Sequence, residues 1–168
     1  MYSSIMHSIK HRGRPNNEFT TPVELAKLCI EMVPLQPGDI VLDPALGTGV
    51  FYDNYPKYVE KLWNDRTNPF MLHDPIKSVD WIITNPPYSN LDAWFYQSCQ
   101  VCRKGFAYLL GLINLTPRRI KIANEEGFGL SKMHLCKVYE WFGITCFVIF
   151  QKDTQNIIDY DRKVWRVL

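Results

Sequence analysis

The chain has 168 residues, the size of one ordinary domain, and 46% of them are hydrophobic, which is enough for one buried core. Its net charge of +2 is too small to indicate a nucleic-acid partner by itself. No apolar run has the length of a membrane span, and residues 1–14 lack the apolar segment of a secretory signal. The five cysteines show no disulfide-like spacing. These features predict a soluble, cytoplasmic protein with reduced thiols.

The N-terminal segment, residues 1–17, is polar, and we predict a flexible arm there. A contact of its basic residues with phosphate is the alternative. We expect one domain over residues 18–168. A helix is predicted to begin at Thr21, because Thr21 is a suitable cap, Pro22 suits the first helical position and Glu24 completes a capping box.

The next segment combines a short strand with a glycine-containing turn. Ile40 to Leu42 form an apolar strand that ends at Asp43, and the turn occupies residues 44–49. The aromatic stretch that follows, residues 50–63, is predicted to be helical with a break near Pro56.

The second half of the chain alternates strands and helices. A buried strand over residues 79–84 precedes a helix that starts at Asn90 and that Gly105 closes. The remaining predicted elements are a strand over 106–113, a helix over 117–126, and two strands over 135–142 and 144–150.

This alternation predicts an α/β fold with a mostly parallel sheet, helices on both faces and an antiparallel hairpin at one edge. In such sheets, ligands bind outside the carboxyl ends of the strands. Asp43 and Asn85 both follow predicted strands directly. We therefore expect them on the same edge of the sheet.

The turn after Asp43 has the sequence Asp-Pro-Ala-Leu-Gly-Thr-Gly. Its glycines allow positive φ and close approach of a ligand. A dinucleotide site requires a third glycine where this chain has Tyr52, and the Gly-Lys-Ser/Thr of a phosphate loop is absent. A carboxylate at the strand end repels phosphate, so the turn suits a ligand with positive charge or hydroxyl groups.

Asn85-Pro86-Pro87-Tyr88 follows the buried strand. Neither proline has an N–H to donate, so the strand ends there with rigidly directed carbonyl groups. The Asn85 oxygen and the Pro86 carbonyl form a pair of acceptors that can hold the hydrogens of a delocalised amino group and localise its lone pair. Pro87 is then a rigid spacer, and Tyr88 offers a ring on which a base stacks.

Together these segments resemble three motifs of the S-adenosylmethionine-dependent amino methyltransferases. Phe19-Thr-Thr-Pro22 resembles motif X, Asp43 to Gly49 resembles motif I, and Asn85 to Tyr88 resembles motif IV. Their order is that of the gamma group, and the closest similarity is to small, phage-type N6-adenine DNA methyltransferases.

The resemblance implies a Rossmann-like class I methyltransferase fold with S-adenosylmethionine as cofactor. It implies catalytic roles for Asn85, Pro86, Pro87 and Tyr88. It also implies a ribose-binding acid, for which Asp65 is the nearest candidate, although a solvated loop residue is an equal alternative. The cofactor-binding residues that it implies are Phe19, Thr21, Asp43, Pro44, Gly47, Thr48, Gly49 and Asp65.

The implied reaction is methyl transfer to an exocyclic amino nitrogen, with N6 of adenine in DNA favoured over RNA. The same tetrapeptide occurs in enzymes that methylate RNA bases or protein glutamine, and a non-catalytic binding subunit is a further alternative. No separate target-recognition domain is expected, so sequence specificity is expected to be low, carried by loops or supplied by a protein partner. Arg118, Arg119 and Lys121 are candidate phosphate contacts or a solvated helix face. We expect no metal, because Cys99-x-x-Cys102 lacks a second suitable pair.

Overall fold

The computed structural model describes residues 21–64, 79–138 and 143–161. Within these ranges, no helix combines the length and apolar character needed to cross a membrane. A 3₁₀ turn at Leu112–Asn114 follows the fourth strand. In chain order, the helices and strands are α1 (Val23–Met32), β1 (Ile40–Asp43), α2 (Val50–Asn54), β2 (Glu60–Trp63), β3 (Val79–Thr84), α3 (Leu91–Val101), β4 (Cys102–Gly111), α4 (Pro117–Glu125), β5 (Phe128–Cys136) and β6 (Thr145–Lys152).

The described strands form one sheet in the order β2-β1-β3-β4-β6-β5. The pairs β1–β2, β1–β3 and β3–β4 are parallel. Strand β6 runs antiparallel to both β4 and β5, so the last two strands form a hairpin at one edge. The predicted α/β fold, with a mostly parallel sheet and an antiparallel edge hairpin, is confirmed.

The sheet separates two hydrophobic clusters, and β4 shows the alternation that produces them. Phe106 and Tyr108 belong to the cluster beneath α3 and α4, whereas Ala107 and Leu109 belong to the cluster beneath α1 and α2. All four residues are almost fully buried. A strand that is apolar on both faces is expected when helices cover both sides of the sheet, and the predicted layering is therefore confirmed.

The start of α1 differs from the prediction. The cap position is Pro22, and no side chain caps the helix, so Thr21 and Glu24 do not form a capping box. The Thr21 side chain is 4% exposed and contacts the Asn85 side chain instead. A tertiary partner has replaced the local backbone as the partner of this hydroxyl group.

The aromatic stretch after the glycine turn is not one helix. Helix α2 ends at Asn54, and the segment beyond Pro56 forms β2, which pairs with β1 from Ile40–Glu60 to Asp43–Trp63. Pro56 cannot donate a helical hydrogen bond. The hydrogen-bonding edge of β1 then determines the conformation of the residues that follow.

Gly105 lies inside β4 and does not close a helix, because α3 passes directly into β4 at Cys102. A Cβ atom at residue 105 would lie 2.4 Å from the Phe150 carbonyl oxygen and 2.4 Å from the Trp81 ring. Close packing across the sheet, and not helix termination, therefore requires this glycine.

The edge hairpin is longer than predicted. Strand β5 begins at Phe128, before the predicted position 135, and the predicted residues 139–142 lie outside the described part of the chain. Phe128 is 1% exposed and packs against Phe106 with ring centroids 5.9 Å apart. It is therefore a core residue.

Candidate active site

The glycine turn between β1 and α2 is compact and partly open to solvent. Gly47 and Gly49 have φ angles of +52° and +80°, which favour glycine because it has no Cβ atom. The Gly49 N–H donates to the Leu46 carbonyl at 2.7 Å and closes the turn. Gly47 and Thr48 are exposed, whereas Gly49 is buried. The backbone of this turn is therefore accessible at residues 47 and 48.

Asp43 is buried at the end of β1, with 1% of its surface exposed. Its Oδ1 accepts hydrogen bonds from the Thr84 hydroxyl at 2.7 Å and from the Ala45 N–H at 3.2 Å. Burial raises the pKa of Asp43 from 3.8 to about 6, although Thr84, the Ala45 N–H and the Tyr52 N–H each lower it. The carboxyl group therefore shapes the turn directly, and a negative charge here costs desolvation free energy.

Thr84 ends β3 and is fully buried. Its hydroxyl bond to Asp43 joins the carboxyl ends of two adjacent strands. Beside it, the Tyr55 hydroxyl donates to the Ile83 carbonyl at 2.6 Å, which also ties the α2 region to β3. These bonds fix the position of the residue that follows Thr84, which is Asn85.

Asn85 is half-buried, and its Nδ2 lies 3.4 Å from the Thr21 hydroxyl oxygen. Because the amide nitrogen donates to Thr21, the Oδ1 end of the same amide points away from Thr21. Pro86 is buried and Pro87 is exposed. The segments that resemble motif X and motif IV are therefore in direct contact.

Tyr88 is half-buried and packs against the core beneath α3. Its hydroxyl oxygen accepts a hydrogen bond from the Gly111 N–H at 3.1 Å. Because Gly111 ends β4, this bond ties the Asn85–Tyr88 segment to the next strand of the sheet. The orientation of the Tyr88 ring is thus fixed at its hydroxyl end.

Most of the residues implied by the motif resemblance lie at one edge of the sheet, as the order of the strands requires. Phe19 and Asp65 lie outside the described residues. The structure brings together Thr21, Asp43, Pro44, Gly47, Thr48, Gly49, Asn85, Pro86, Pro87 and Tyr88 at the carboxyl ends of β1 and β3.

The basic residues of α4 have protein partners. Arg119 is 17% exposed, and it donates to Asp92 Oδ1 at 2.9 Å and to the Asn114 carbonyl at 2.6 Å. Arg118 also pairs with Asp92 but is 70% exposed. Lys121 pairs with Glu125 one turn along the helix. Arg119 therefore has a structural role. The guanidinium group of Arg118 is the more exposed of the two.

Two site residues were missed by the sequence analysis. Thr84 binds Asp43, but β3 also carries Asp80, so a polar residue in this strand does not by itself single out Thr84. Tyr55 lies fully buried against the Ile83 carbonyl, and it was assigned only to an aromatic stretch. Both contacts span residues that are distant in the chain, so no local pattern identifies them.

Cys99 and Cys102 lie at the end of α3 and the start of β4, where both side chains are buried in the core. In the described part of the chain, no group of three or more His, Cys, Asp or Glu residues is placed to hold a metal ion.

The sheet order and the position of the glycine turn define the fold of class I S-adenosylmethionine-dependent methyltransferases. Solved structures with this fold include an N-methyltransferase from Bradyrhizobium japonicum bound to S-adenosyl-L-homocysteine, with a TM-score of 0.63, 9% identity, and 91% of this chain and 98% of that chain covered. They also include magnesium protoporphyrin IX methyltransferase from Synechocystis, with a TM-score of 0.58, 10% identity, and 90% and 94% covered.

A further similar structure is a modification subunit assigned to a type I restriction enzyme from Vibrio vulnificus. It has a TM-score of 0.63 and 14% identity, and the match covers 92% of this chain and 49% of that one. This chain therefore spans about half the length of that subunit. These identities are too low to show more than a common fold.

The family model described as N-6 DNA methylase matches residues 1–73, fewer than half of the 168 residues. The match includes Thr21 and the turn from Asp43 to Gly49, and it ends before Asn85. It confirms the resemblance to N6-adenine DNA methyltransferases that the sequence motifs indicate. No curated protein sequence matches the chain.

Proposed function

We propose that this protein is an S-adenosylmethionine-dependent methyltransferase that modifies an exocyclic amino nitrogen, N6 of adenine in DNA. The observation that carries the proposal is the junction of two strand ends. Asp43 and the glycine turn lie at the end of β1, Asn85 lies at the end of β3, and the 2.7 Å Thr84–Asp43 bond connects them.

The turn fits the proposed cofactor in its chemistry. Asp43 places a carboxyl group beneath an exposed glycine backbone, and such a group favours a cationic ligand over a phosphate. Gly47, Thr48 and Gly49 would hold the cofactor, with Pro44 shaping the turn and Phe19 and Asp65 as further proposed contacts. When bound, S-adenosylmethionine supplies a methyl group on a positively charged sulfur.

Asn85 and the Pro86 carbonyl are the proposed acceptors for the two hydrogens of the target amino group. Holding those hydrogens localises the nitrogen lone pair, which is otherwise shared with the base, and it directs the lone pair at the methyl carbon. After transfer, one of those protons leaves the nitrogen and passes to solvent water, because the Asn85 amide and the Pro86 carbonyl accept hydrogen bonds but are not bases. Thr21 positions the Asn85 amide, and Tyr88 is the proposed stacking surface for the base.

Two observations support the nature of the substrate. The description of the matching family model, N-6 DNA methylase, favours adenine in DNA over RNA or protein. The similar Vibrio vulnificus protein is a subunit, which favours a protein partner as a source of sequence specificity. The partner is part of the proposal.

The test is transfer of a labelled methyl group from S-adenosylmethionine to unmethylated DNA, with RNA and a protein extract in parallel, followed by nucleoside analysis. We expect label in N6-methyladenine from DNA. If label is found only in RNA or in protein, the fold assignment stands, but the proposed substrate is RNA or protein and not DNA. If cofactor binds and no substrate is labelled, the protein is a binding subunit or needs its partner.

Asn85→Ala tests the site itself. We expect it to leave cofactor affinity nearly unchanged and to lower turnover about 10²–10³-fold, because it removes a positioned acceptor. Asn90→Gly is the matched control, since Asn90 is an exposed residue of the same loop with a φ of 61° that glycine adopts easily. Parental turnover in Asn85→Ala would show that the assigned site is wrong.

A further inference from the structure

Ile113 is the most exposed large hydrophobic residue in the described part of the chain, with 88% of its surface accessible. It lies in the 3₁₀ turn that follows β4. Single exposed aliphatic residues are common on protein surfaces, so exposure alone carries no argument. What distinguishes Ile113 is the rigidity of its turn and its position beside the proposed site.

The turn is held on three sides. The Leu112 N–H donates to the Ile144 carbonyl at 2.8 Å, which fastens the turn to the edge hairpin. The Leu115 N–H donates back to Leu112 at 3.0 Å. The Asn114 carbonyl accepts from Arg119 at 2.6 Å, and Arg119 is itself bonded to Asp92 of α3. The backbone at Ile113 is therefore fixed while its side chain remains exposed.

The turn adjoins the Asn85–Tyr88 segment. Gly111, two residues before Ile113, donates its N–H to the Tyr88 hydroxyl at 3.1 Å. In the sheet, β4 is the direct neighbour of β3, and Thr84 pairs with Tyr108. Arg118, with 70% of its side chain exposed, pairs with Asp92 in the first turn of α3, the helix that follows the Asn85–Tyr88 segment. An apolar side chain and an exposed guanidinium group therefore flank the proposed catalytic segment.

We propose that Ile113 inserts into duplex DNA and fills the space that the target adenine leaves when it turns out of the stack. This inference rests on the proposed function, because a base in a duplex cannot reach Asn85 without leaving the helix. An apolar side chain compensates the neighbouring base pairs for the lost stacking contact. Because the backbone at Ile113 is fixed, little conformational entropy is lost when the side chain inserts. Arg118 contacts the adjacent phosphate groups.

The experiment compares methylation of one filamentous-phage genome in its single-stranded circular form and in its duplex form, both prepared without prior adenine methylation. Single-stranded DNA needs no base extrusion from a duplex, so the ratio of the two initial rates reports the extrusion step. The variants are Ile113→Ser, which removes the apolar wedge, and Ile113→Leu, which retains it.

Ile157→Ser is the matched control. Ile157 is also an exposed isoleucine, with 54% of its surface accessible. Its N–H donates to the Leu130 carbonyl of β5. In the sheet, Leu130 lies at the level of Phe106, away from the carboxyl end of β4. Thermal unfolding midpoints of all variants are expected to equal that of the parent, because the altered side chains are exposed.

We expect Ile113→Ser to lower the rate on duplex DNA about tenfold and to leave the rate on single-stranded DNA unchanged, with Ile113→Leu and Ile157→Ser close to the parent. If Ile113→Ser has the same ratio of duplex to single-stranded rates as the parent, whether both rates are unchanged or both fall equally, the wedge role is overturned and the proposed function stays intact. A parent protein that methylates only single-stranded DNA would do the same. A parent protein that methylates neither form, alone or in a cell extract that supplies its partner, would overturn both proposals.

Discussion

The Thr84 hydroxyl donates a hydrogen bond of 2.7 Å to Asp43 Oδ1, and both side chains are almost fully buried. The two residues end the adjacent parallel strands β3 and β1. Asp43 directly precedes the glycine turn, and Thr84 directly precedes Asn85. This buried contact therefore joins the proposed cofactor-binding and catalytic segments, whose relative position the parallel pairing of β1 and β3 also fixes.

Thr84→Val should weaken cofactor binding near neutral pH without altering the fold. The hydroxyl lowers the pKa of Asp43, so its loss should raise that pKa further above about 6 and reduce the charged fraction of the carboxyl group. S-adenosylmethionine affinity is measured by calorimetry between pH 5 and 9. As the pH is lowered, the affinity of Thr84→Val should begin to fall at a higher pH than that of the parent. Thr84→Ser retains the hydroxyl and should match the parent. The same pH profile in Thr84→Val and in the parent would exclude this role.

Asp43→Asn should make the protein more stable and less able to bind cofactor. The folded-state pKa of Asp43 is about 6, above its ordinary 3.8, so the folded protein holds the proton more tightly than the unfolded chain does. The free energy of unfolding therefore decreases as pH rises from about 4 to about 6, with a total loss of about 3 kcal/mol.

Asparagine carries no charge to desolvate, although it has one acceptor oxygen for the three donors of this site, the Thr84 hydroxyl and the Ala45 and Tyr52 N–H groups. Denaturant unfolding of Asp43→Asn should show a flatter dependence on pH and a higher free energy of unfolding at pH 7 than in the parent. Cofactor affinity at that pH should decrease, because the negative charge is lost. Identical pH slopes in the two proteins would contradict the raised pKa.

Thr21→Val should lower turnover about tenfold with little change in the KM for S-adenosylmethionine, because Asn85 loses the acceptor that orients its amide. Thr21→Ser should restore turnover. Steady-state kinetics on unmethylated DNA separate the two possible roles of Thr21. An increased KM with unchanged kcat would instead identify Thr21 as a direct cofactor contact, which is the role that the motif resemblance implies.

Gly105→Ala should destabilise the protein by about 3 kcal/mol, since the added Cβ atom would lie 2.4 Å from both the Phe150 carbonyl oxygen and the Trp81 ring. Urea unfolding measures this loss. Gly143→Ala is the control, because a Cβ atom there meets no atom within 4 Å, and its effect should stay within about 0.5 kcal/mol. Equal stability of the two variants would show that the sheet relaxes around residue 105.

The sequence alone was sufficient to predict the fold class and to place the two segments of the proposed site at one edge of the sheet. The apolar runs that end at Asp43 and Asn85 predicted strands whose carboxyl ends meet at one edge, and the structure places them in the adjacent strands β1 and β3. This succeeds because strand periodicity, proline chemistry and glycine turns are local properties. The resemblance over residues 1–73 follows from the same local patterns.

Only the tertiary structure decided which partners the polar side chains take. Thr21 has the local chemistry of a helix cap, but its hydroxyl lies against Asn85, 64 positions along the chain. The residues of β2 have helical neighbours in sequence, yet they form a strand because the edge of β1 offers unpaired backbone groups. Gly105 ends no helix, because the Trp81 ring and the Phe150 carbonyl occupy the space beside it. In each case a contact between distant residues outweighs a local preference of about 1 kcal/mol, so it becomes visible only when the chain is folded.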